Sequence, residues 1–309
     1  MIAVIIPLYN KAEHIADALE SVLAQTDKPY EIIVVDDGST DNGPDIVANF
    51  VDRGVFLIKQ ANQGVSVARN TGLHTATADY VAFLDADDQW LPEHLATLLN
   101  LIANCPAAAL YSTGHLIRRE NRVFRPRSAF PDAWQGLIPD FFAAFASGLS
   151  LVNSSTACVR KAALVEVGGF PVGVCRGEDT IAWVKLALRH PVAHAEVLTA
   201  IYNQQASNRS INLREAEPPG SLQYLAELFG KSGLTAQQTR GIALLFERIS
   251  IFTAAGFRAN GDLEGLQAIK LLAVGNRKYS TALAITALAW IPARLLSSAK
   301  QFRHHRTDA

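Results

Sequence analysis

The sequence has little of what marks a disulfide-bonded, zinc-binding, membrane-spanning or nucleic-acid-binding chain. It has three cysteines, Cys105, Cys158 and Cys175. They are odd in number, widely spaced and without a CxxC pair, which indicates neither a disulfide framework nor a zinc site. A reducing cytoplasm is the simplest compartment. No uncharged apolar stretch reaches the ~20 residues that a spanning helix needs. The N-terminus, Met1-Ile2-Ala3-Val4-Ile5-Ile6-Pro7, lacks a basic n-region and a cleavage site, and reads as a first strand rather than a signal peptide. No G-x-G-x-x-G follows a strand-like run and no G-x-x-x-x-G-K-[ST] occurs, so dinucleotide oxidoreductases and P-loop NTPases lose their main support. Gly64-Val65-Ser66-Val67-Ala68 ends in Ala where a G-x-S-x-G elbow needs Gly, and no His or Asp is placed to complete a triad. The 8 histidines form no metal-ligand pattern, and His304-His305 reads as a solvated tail. A formal net charge of −1 suggests no nucleic-acid partner.

What is present fits a folded α/β protein. The 309 residues suffice for one large or two modest domains with a real core, and 49% hydrophobic with 18% charged residues argues against disorder. The first hundred residues alternate. Ile2–Leu8, Ile32–Val35, Val55–Ile58 and Tyr80–Leu84 are strand-like. Between them Ile15, Leu19, Val22 and Leu23 recur at helical spacing, Ile46, Val47 and Phe50 mark a helix, and Val65–Leu73 reads as helical. Pro92 is expected in the first turn of a helix running to about Ala103. Near-continuous apolar strands alternating with helices predict a mostly parallel sheet covered on both faces. From Ala107 the rhythm loosens. Ala107–Leu116 could be a strand, and Arg118–Arg127, with five arginines, reads as an exposed loop or hairpin. Gly168-Gly169-Phe170-Pro171 is a turn, a helix begins near Glu178, and the chain is helical after Pro218-Pro219-Gly220.

Two acidic clusters carry the chemistry. Asp36-Asp37 ends one apolar strand and Asp85-Ala86-Asp87-Asp88 ends another. The carboxyl ends of parallel strands face the ligand crevice, so the two clusters can share one site. Carboxylates bind a hard cation, which in turn binds phosphates, and a nucleoside diphosphate held through Mg²⁺ or Mn²⁺ is the natural reading. Each motif also has a structural explanation. Ser39 or Thr40 can cap the following helix. Arg69 can make a surface salt bridge or a phosphate or carboxylate contact. Asp85-Ala86-Asp87-Asp88 can be a solvated loop, although adjacent acids repel unless a cation sits between them. Glu178 and Asp179 can stabilise a helix N-terminus.

Together these motifs resemble the family 2 glycosyltransferases of the GT-A fold. The matching residues are Val4-Ile5-Ile6-Pro7-Leu8-Tyr9-Asn10, Val35-Asp36-Asp37-Gly38-Ser39-Thr40-Asp41 and Ala68-Arg69-Asn70-Thr71-Gly72-Leu73. They continue with Phe83-Leu84-Asp85-Ala86-Asp87-Asp88-Gln89-Trp90-Leu91-Pro92, Val167-Gly168-Gly169-Phe170 and Gly177-Glu178-Asp179. The likeness covers about residues 1–205, and its specificity comes from six motifs in the family's order. It implies a Rossmann-like GT-A sheet flanked by helices, with a helical C-terminal extension. It implies Pro7, Tyr9 and Asp37 around the nucleotide base, Arg69 beside the nucleotide pocket, and Asp85 and Asp87 as the DxD, with Asp87 the more direct metal ligand. Asp179 matches the catalytic base of an inverting, hexosyltransferase-type enzyme. Such an enzyme takes a nucleoside-diphosphate sugar as donor, a divalent metal (Mn²⁺ or Mg²⁺) as cofactor, and a carbohydrate or lipid-linked acceptor of surface polysaccharide or glycolipid biosynthesis. One departure is the stretch Tyr202-Asn203-Gln204-Gln205, with Asn208 and Ser210 beyond, where many relatives carry Tyr-Arg-x-His. The segment between Arg118 and Ser150, which tends to shape acceptor choice in this family, has no diagnostic match. A sugar-phosphate nucleotidyltransferase and a non-catalytic nucleotide-sugar-binding protein are the alternatives. The first would have a Gly-rich, Arg-containing loop where Pro7-Leu8-Tyr9-Asn10-Lys11 stands, and the second would dispense with Asp87 or Asp179.

The charge is unevenly spread. Residues 1–100 carry 5 Lys and Arg against 15 Asp and Glu, whereas residues 270–309 carry 7 Lys and Arg and one acid, Asp308. Tyr279–Ala293 is an uncharged stretch containing Leu283, Ile285, Leu288, Trp290 and Ile291, followed by Arg294, Lys300, Arg303 and Arg306. It suits either a helix lying on an anionic membrane surface or one packed against the catalytic domain or a partner subunit. The expected organisation is a catalytic domain over 1–215 and a helical region over 216–309, in a cytoplasmic protein that is peripheral at the inner face of the membrane if Tyr279–Ala293 lies on it.

Overall fold

The computed structural model describes residues 1–119, 122–148, 150–174, 176–204 and 217–291. The alternation of the first hundred residues becomes β1 (Ile2–Leu8), α1 (Ile15–Leu23), β2 (Glu31–Asp36), α2 (Gly43–Ala48), β3 (Val55–Lys59), α3 (Val65–Thr75) and β4 (Tyr80–Phe83). There follow β5 (Gln89–Trp90), α4 (His94–Asn104), β6 (Leu110–Arg119), β7 (Arg122–Phe124), β8 (Gln135–Leu137), α5 (Phe141–Gly148), β9 (Ala157–Arg160), α6 (Lys161–Glu166), α7 (Glu178–Ala187) and β10 (Val192–Asn203). The helices α8 (Gly220–Leu228), α9 (Ala236–Ala259), α10 (Leu263–Gly275) and α11 (Tyr279–Trp290) complete the chain. β1 is buried at every position, as its unbroken apolar run requires of a strand covered on both faces. α1 turns Ile15, Ala18, Leu19 and Val22 onto the sheet and leaves its polar residues outside. The helix expected to open at Pro92 begins at His94, because Leu91 N donates to Thr199 O and Pro92 O accepts from Thr26 N, which fixes that turn outside the helix.

The sheet runs in the order β3-β2-β1-β4-β9-β6-β10-β5, with β7 on β6 and β8 on β10. Its first four strands are parallel. β9 is antiparallel to both β4 and β6, β10 is parallel to β6, and β5 and β8 pair antiparallel with β10. The helix-flanked α/β class stands, and the second half of the sheet is mixed, which matches the fading strand–helix rhythm after Ala107. In the five-arginine segment, expected as a loop or hairpin, β6 and β7 pair antiparallel, with Ile117 opposite Phe124.

This topology assembles the acidic clusters. β1 lies between β2 and β4 in parallel register, with Leu8 beside Asp36 and Ile5 beside Phe83. The carboxyl ends of β2 and β4 therefore emerge at the same edge of the sheet, one strand apart. Helix α3 comes very close to β1 there. A Cβ on Gly72 would meet Ile5 Cγ2 at 2.5 Å, so the motif's glycine is demanded by packing.

The chain divides into two compact units, Met1–Pro139 with Ser150–Arg209, and Asp140–Leu149 with Ser210–Ala309. The first holds the sheet. The second is helical and includes α5, which packs on α9 although it lies inside the stretch expected as the first domain. The boundary expected at 215–216, the residues Gln205, Asn208 and Ser210, Cys175, and the basic residues after Ile291 lie outside the described residues. No helix among the described residues is long and apolar enough to cross a membrane.

Candidate active site

Two loops at the sheet edge are laced together by Asn10, Asp41 and Ser39, the last expected as a helix cap. Asn10, at φ 51°, takes the left-handed backbone that asparagine tolerates. Its N–H donates to Ser39 Oγ at 3.1 Å, and its Oδ1 accepts from Thr40 N at 2.7 Å. Asp41 accepts from Ala12 N at 2.9 Å and from Gly43 N at 3.0 Å. Ser39 and Thr40 thus join loops, and Asn42 stands at the N-cap of α2.

Of the residues expected around a nucleotide base, Tyr9 stands at the end of β1 with its side chain exposed, and Pro7 is buried in the strand opposite Val35. Asp37 is also buried. Its carboxylate accepts from Gln60 Nε2 at 2.7 Å, Gln63 N at 3.0 Å and Gly64 N at 2.7 Å, which shapes the turn leading into α3.

The five carboxylates near the end of β4 and the start of α7 are held in different ways, two of them by one shared partner. Arg69, 3% exposed, donates to Asp85 Oδ1 at 2.8 Å and to Glu178 Oε1 at 2.9 Å. The contact is with carboxylates, in the interior, and not a surface bridge. Burial works against the guanidinium's charge, but Asp85 and Glu178 together hold it firmly protonated, above its ordinary range. Lys11 Nζ donates to Asp87 Oδ2 at 2.8 Å. Asp88 turns inward, accepting from the Ser155 hydroxyl and from Asn203 N at 2.8 Å. Burial, then the charges of Asp87 and Asp85, push its carboxyl well above the usual range. The repulsion expected between adjacent acids is therefore relieved by two side-chain cations and an inward rotation.

Asp179 lies in the first turn of α7, after Gly177 at φ 80°. Its Oδ1 accepts from Thr180 N at 2.6 Å. Burial and the neighbouring Glu178 charge raise its carboxyl to about 6, against the opposing pull of Arg69. Its Oδ2 has no hydrogen-bond partner among the described residues.

The remaining motifs build the frame. Asn70 donates through Nδ2 to Phe170 O at 2.8 Å and accepts from Phe170 N at 2.9 Å, clamping α3 to the Gly-Gly-Phe turn. A Cβ on Gly169, at φ 65°, would lie 2.6 Å from Asn70 Oδ1, so the clamp requires glycine there. Phe170 in turn packs edge-on against Phe83 and Trp183, and its ring lies 5.2 Å from the Arg69 guanidinium carbon. Sequence reasoning quoted Lys11, Glu178 and Asp88 inside motifs but gave them no site role. It passed over Glu196, which sits in a bulge of β10 between Ala195 and Leu198. Glu196 ties down the loop before β8, accepting from Arg125 and Ser128, and hydrogen-bonds His194. Although burial opposes it, these hydrogen bonds hold its carboxyl at about 2.

The family model described as Glycosyl transferase family 2 matches residues 3–166. The chain belongs to this family. The match runs from β1 to α6 and covers Asp37, Lys11, Arg69 and the Asp85–Asp88 cluster, but not the Gly-Gly-Phe turn, α7 or β10. Among family relatives, the chain is similar to the uncharacterized glycosyltransferase YibD of Escherichia coli, 45% identical over 102 residues, 32% of this chain and 30% of YibD. It spans about a third or less of the length of several curated relatives it matches. Its fold is similar to that of Staphylococcus aureus TarS 1-349 in complex with UDP-GlcNAc, at a TM-score of 0.73 and 19% identity, covering 99% of this chain and 93% of that one. It is also similar to that of the Pyrobaculum calidifontis mannosyltransferase PcManGT in complex with GDP-Man and Mn²⁺, at a TM-score of 0.60 and 22% identity, covering 93% and 85%. The GT-A architecture of the family is thus present in this chain.

Removing Arg69 leaves Asp85 and Glu178 facing each other without a counter-charge. Arg69→Met is expected to cost about 3 kcal/mol, the scale for breaking a buried ion pair from one side. Arg69→Lys should recover only part of it, because one ammonium cannot reproduce the forked contact. Urea unfolding of the three proteins measures both, and equal midpoints would show that the bridge carries no stability.

Proposed function

We propose that the chain is a metal-dependent, inverting glycosyltransferase of the hexosyltransferase type, moving a sugar from a nucleoside-diphosphate sugar to an acceptor hydroxyl. The observation that carries this reading is Asp179: a carboxylate whose second oxygen has no hydrogen-bond partner among the described residues and whose pKa is raised to about 6. It is joined through Glu178 and Arg69 to the acidic strand end. A general base works best with a pKa near the operating pH. Asp179 takes the proton of the acceptor hydroxyl as its oxygen bonds to the anomeric carbon. The bond from that carbon to the donor's phosphate oxygen breaks with its electron pair, and the nucleoside diphosphate leaves from the opposite face. One displacement needs one base and no enzyme nucleophile, and Glu178, committed to Arg69, is poorly placed to compete.

The metal reading rests on Asp85 and Asp87. The described residues hold no group of three or more His, Cys, Asp or Glu side chains able to enclose an ion. Two carboxylates suit Mg²⁺ or Mn²⁺ when substrate phosphates complete the shell. Asp87 already takes a cation, the Lys11 ammonium, at 2.8 Å, so the residues fit. Bound there, a divalent ion would neutralise charge on the departing diphosphate. Pro7, Tyr9 and Asp37 are assigned to the base pocket and Arg69 to its border. Asp37 would serve there partly by ordering the Gln60–Gly64 turn. The donors named for TarS and PcManGT support a nucleotide-sugar donor, and the family resemblance supports a carbohydrate or lipid-linked acceptor of surface polysaccharide or glycolipid biosynthesis.

We also assign residues 1–215 to donor binding and catalysis, and residues 216–309 to a helical region resting on the cytoplasmic face of an anionic membrane. Tyr279, Leu283 and Trp290 of α11 are 61%, 71% and 86% exposed. Their spacing puts all three on one face of the helix. With seven Lys and Arg against one acid over residues 270–309, the charge matches an anionic leaflet, to which each basic residue near the surface adds about 1 kcal/mol.

Three outcomes test this reading. Asp87→Ala should abolish transfer and weaken nucleotide-sugar binding; full activity in excess EDTA would contradict the metal assignment. Asp179→Asn should lower transfer by at least about 10²-fold with donor affinity little changed. The wild-type rate should fall tenfold per pH unit below about 6, because the raised carboxyl is protonated, and inactive as a base, under that pH. A folded Asp179→Asn enzyme at wild-type rate, or a rate flat between pH 7 and 5, removes Asp179 from that role. Finally, the full chain should co-sediment with phosphatidylglycerol vesicles and not with phosphatidylcholine vesicles, and Leu283→Ser with Trp290→Ser should reduce binding. A wild-type protein that ignores anionic vesicles ends the membrane reading.

A further inference from the structure

Lys11 lies 76 residues from Asp87 in sequence, yet Nζ reaches Asp87 Oδ2 at 2.8 Å, with only 11% and 14% of the two side chains exposed. The backbone under Lys11 is fixed. Asn10 is locked to Ser39 and Thr40, and Ala12 N is held by Asp41. The ammonium, by contrast, rides on a flexible four-carbon stem. An ion pair so far withdrawn from water is screened less than a surface pair.

A divalent cation on the same carboxylate oxygen and the ammonium cannot both stay, since like charges at contact distance are mutually unfavourable. The ammonium therefore competes with the metal. It can leave Asp87 at little cost only if another anion takes it, and a nucleoside diphosphate brings that anion to the same edge of the sheet; lysine is a well-suited point-charge partner for phosphate. We propose that Lys11 is a resident stand-in for the metal. It holds Asp87 while no donor is bound, and releases that carboxylate to the divalent ion when the donor's diphosphate arrives to receive the ammonium. The proposal rests on Asp87 as a metal ligand. Its consequence is that metal and nucleotide assist each other's binding, while metal alone binds poorly. Lys11 is in this sense a positioning residue that sets the order of loading and disfavours a metal-filled, donor-free enzyme.

The test uses the full chain and reads binding. Free Mn²⁺ is followed by electron paramagnetic resonance in titrations with and without UDP or GDP, and calorimetry gives nucleotide affinity with and without Mn²⁺. Lys11→Met should bind Mn²⁺ alone at least about fivefold more tightly than wild type and bind UDP or GDP more weakly. The cooperative gain between metal and nucleotide should shrink by about the same factor, the lower end of typical coupling between sites. Lys11→Arg, which keeps the charge, should retain weak binding of Mn²⁺ alone. Lys11→Gln, closer in polarity, repeats the measurement if Lys11→Met melts early. Unchanged Mn²⁺ affinity in Lys11→Met and Lys11→Gln, with binding lost in Asp87→Ala, overturns the handover and leaves the metal site standing. Weaker nucleotide binding with unchanged Mn²⁺ affinity makes Lys11 a plain phosphate contact and overturns it as well. Equal Mn²⁺ affinity in wild type and Asp87→Ala overturns both the handover and the metal site beneath it.

Discussion

Arg69 occupies a position on which the acidic end of the sheet depends. Its guanidinium, 3% exposed, is shared between Asp85 after β4 and Glu178 at the start of α7. A buried cation of this kind is tolerable only with good partners, and its partners are tolerable only with it. Phe170 flanks it, and the Asn70 clamp holds Phe170 in place. Through this one side chain, α3, the end of β4, the Gly-Gly-Phe turn and the N-terminus of α7 become a single frame. The base candidate Asp179 inherits its environment from that frame, including the Glu178 charge that helps raise its pKa and the Arg69 charge that limits the rise.

The same logic explains how five acids coexist at the start of α7 and the end of β4. Asp85 and Glu178 share Arg69, Asp87 has Lys11, Asp88 is turned inward onto Ser155 and the Asn203 amide, and Asp179 accepts from the Thr180 amide. Asp85 keeps 31% of its side chain exposed and Asp87 14%, and the two are held by different cations, a buried guanidinium and a lysine ammonium. Electrostatics thus gives near-identical residues different environments.

Much of this was legible beforehand. The continuous apolar runs of β1, β2 and β4 marked buried parallel strands, and acids directly after two of them pointed to one crevice. Asp37 was harder to read. The strand-end position was plain, but its three contacts come from Gln60, Gln63 and Gly64, on a loop whose path no local pattern reveals. Ser39 and Thr40 looked like helix caps because local hydrogen bonding is the default for such residues. They instead serve Asn10, about thirty positions away. Glu196 gave no signal, since a bulge is a property of strand pairing and not of composition.

The sequence by itself determined the period of burial, and with it the strands, the helices and the edge at which the carboxylates emerge, because burial of apolar side chains follows a repeat that can be read along the chain. It also determined the chemical types available: acids for a cation, a tyrosine ring at the end of β1, an acid at the start of a helix. Tertiary structure alone decided which acid faces which cation. The partners of Asp85, Asp87 and Asp88 lie 16, 76 and 67 residues away, and the Glu178–Arg69 contact spans 109. Charge pairing acts over a few ångströms of space, and only the folded sheet brings those distant side chains within that range.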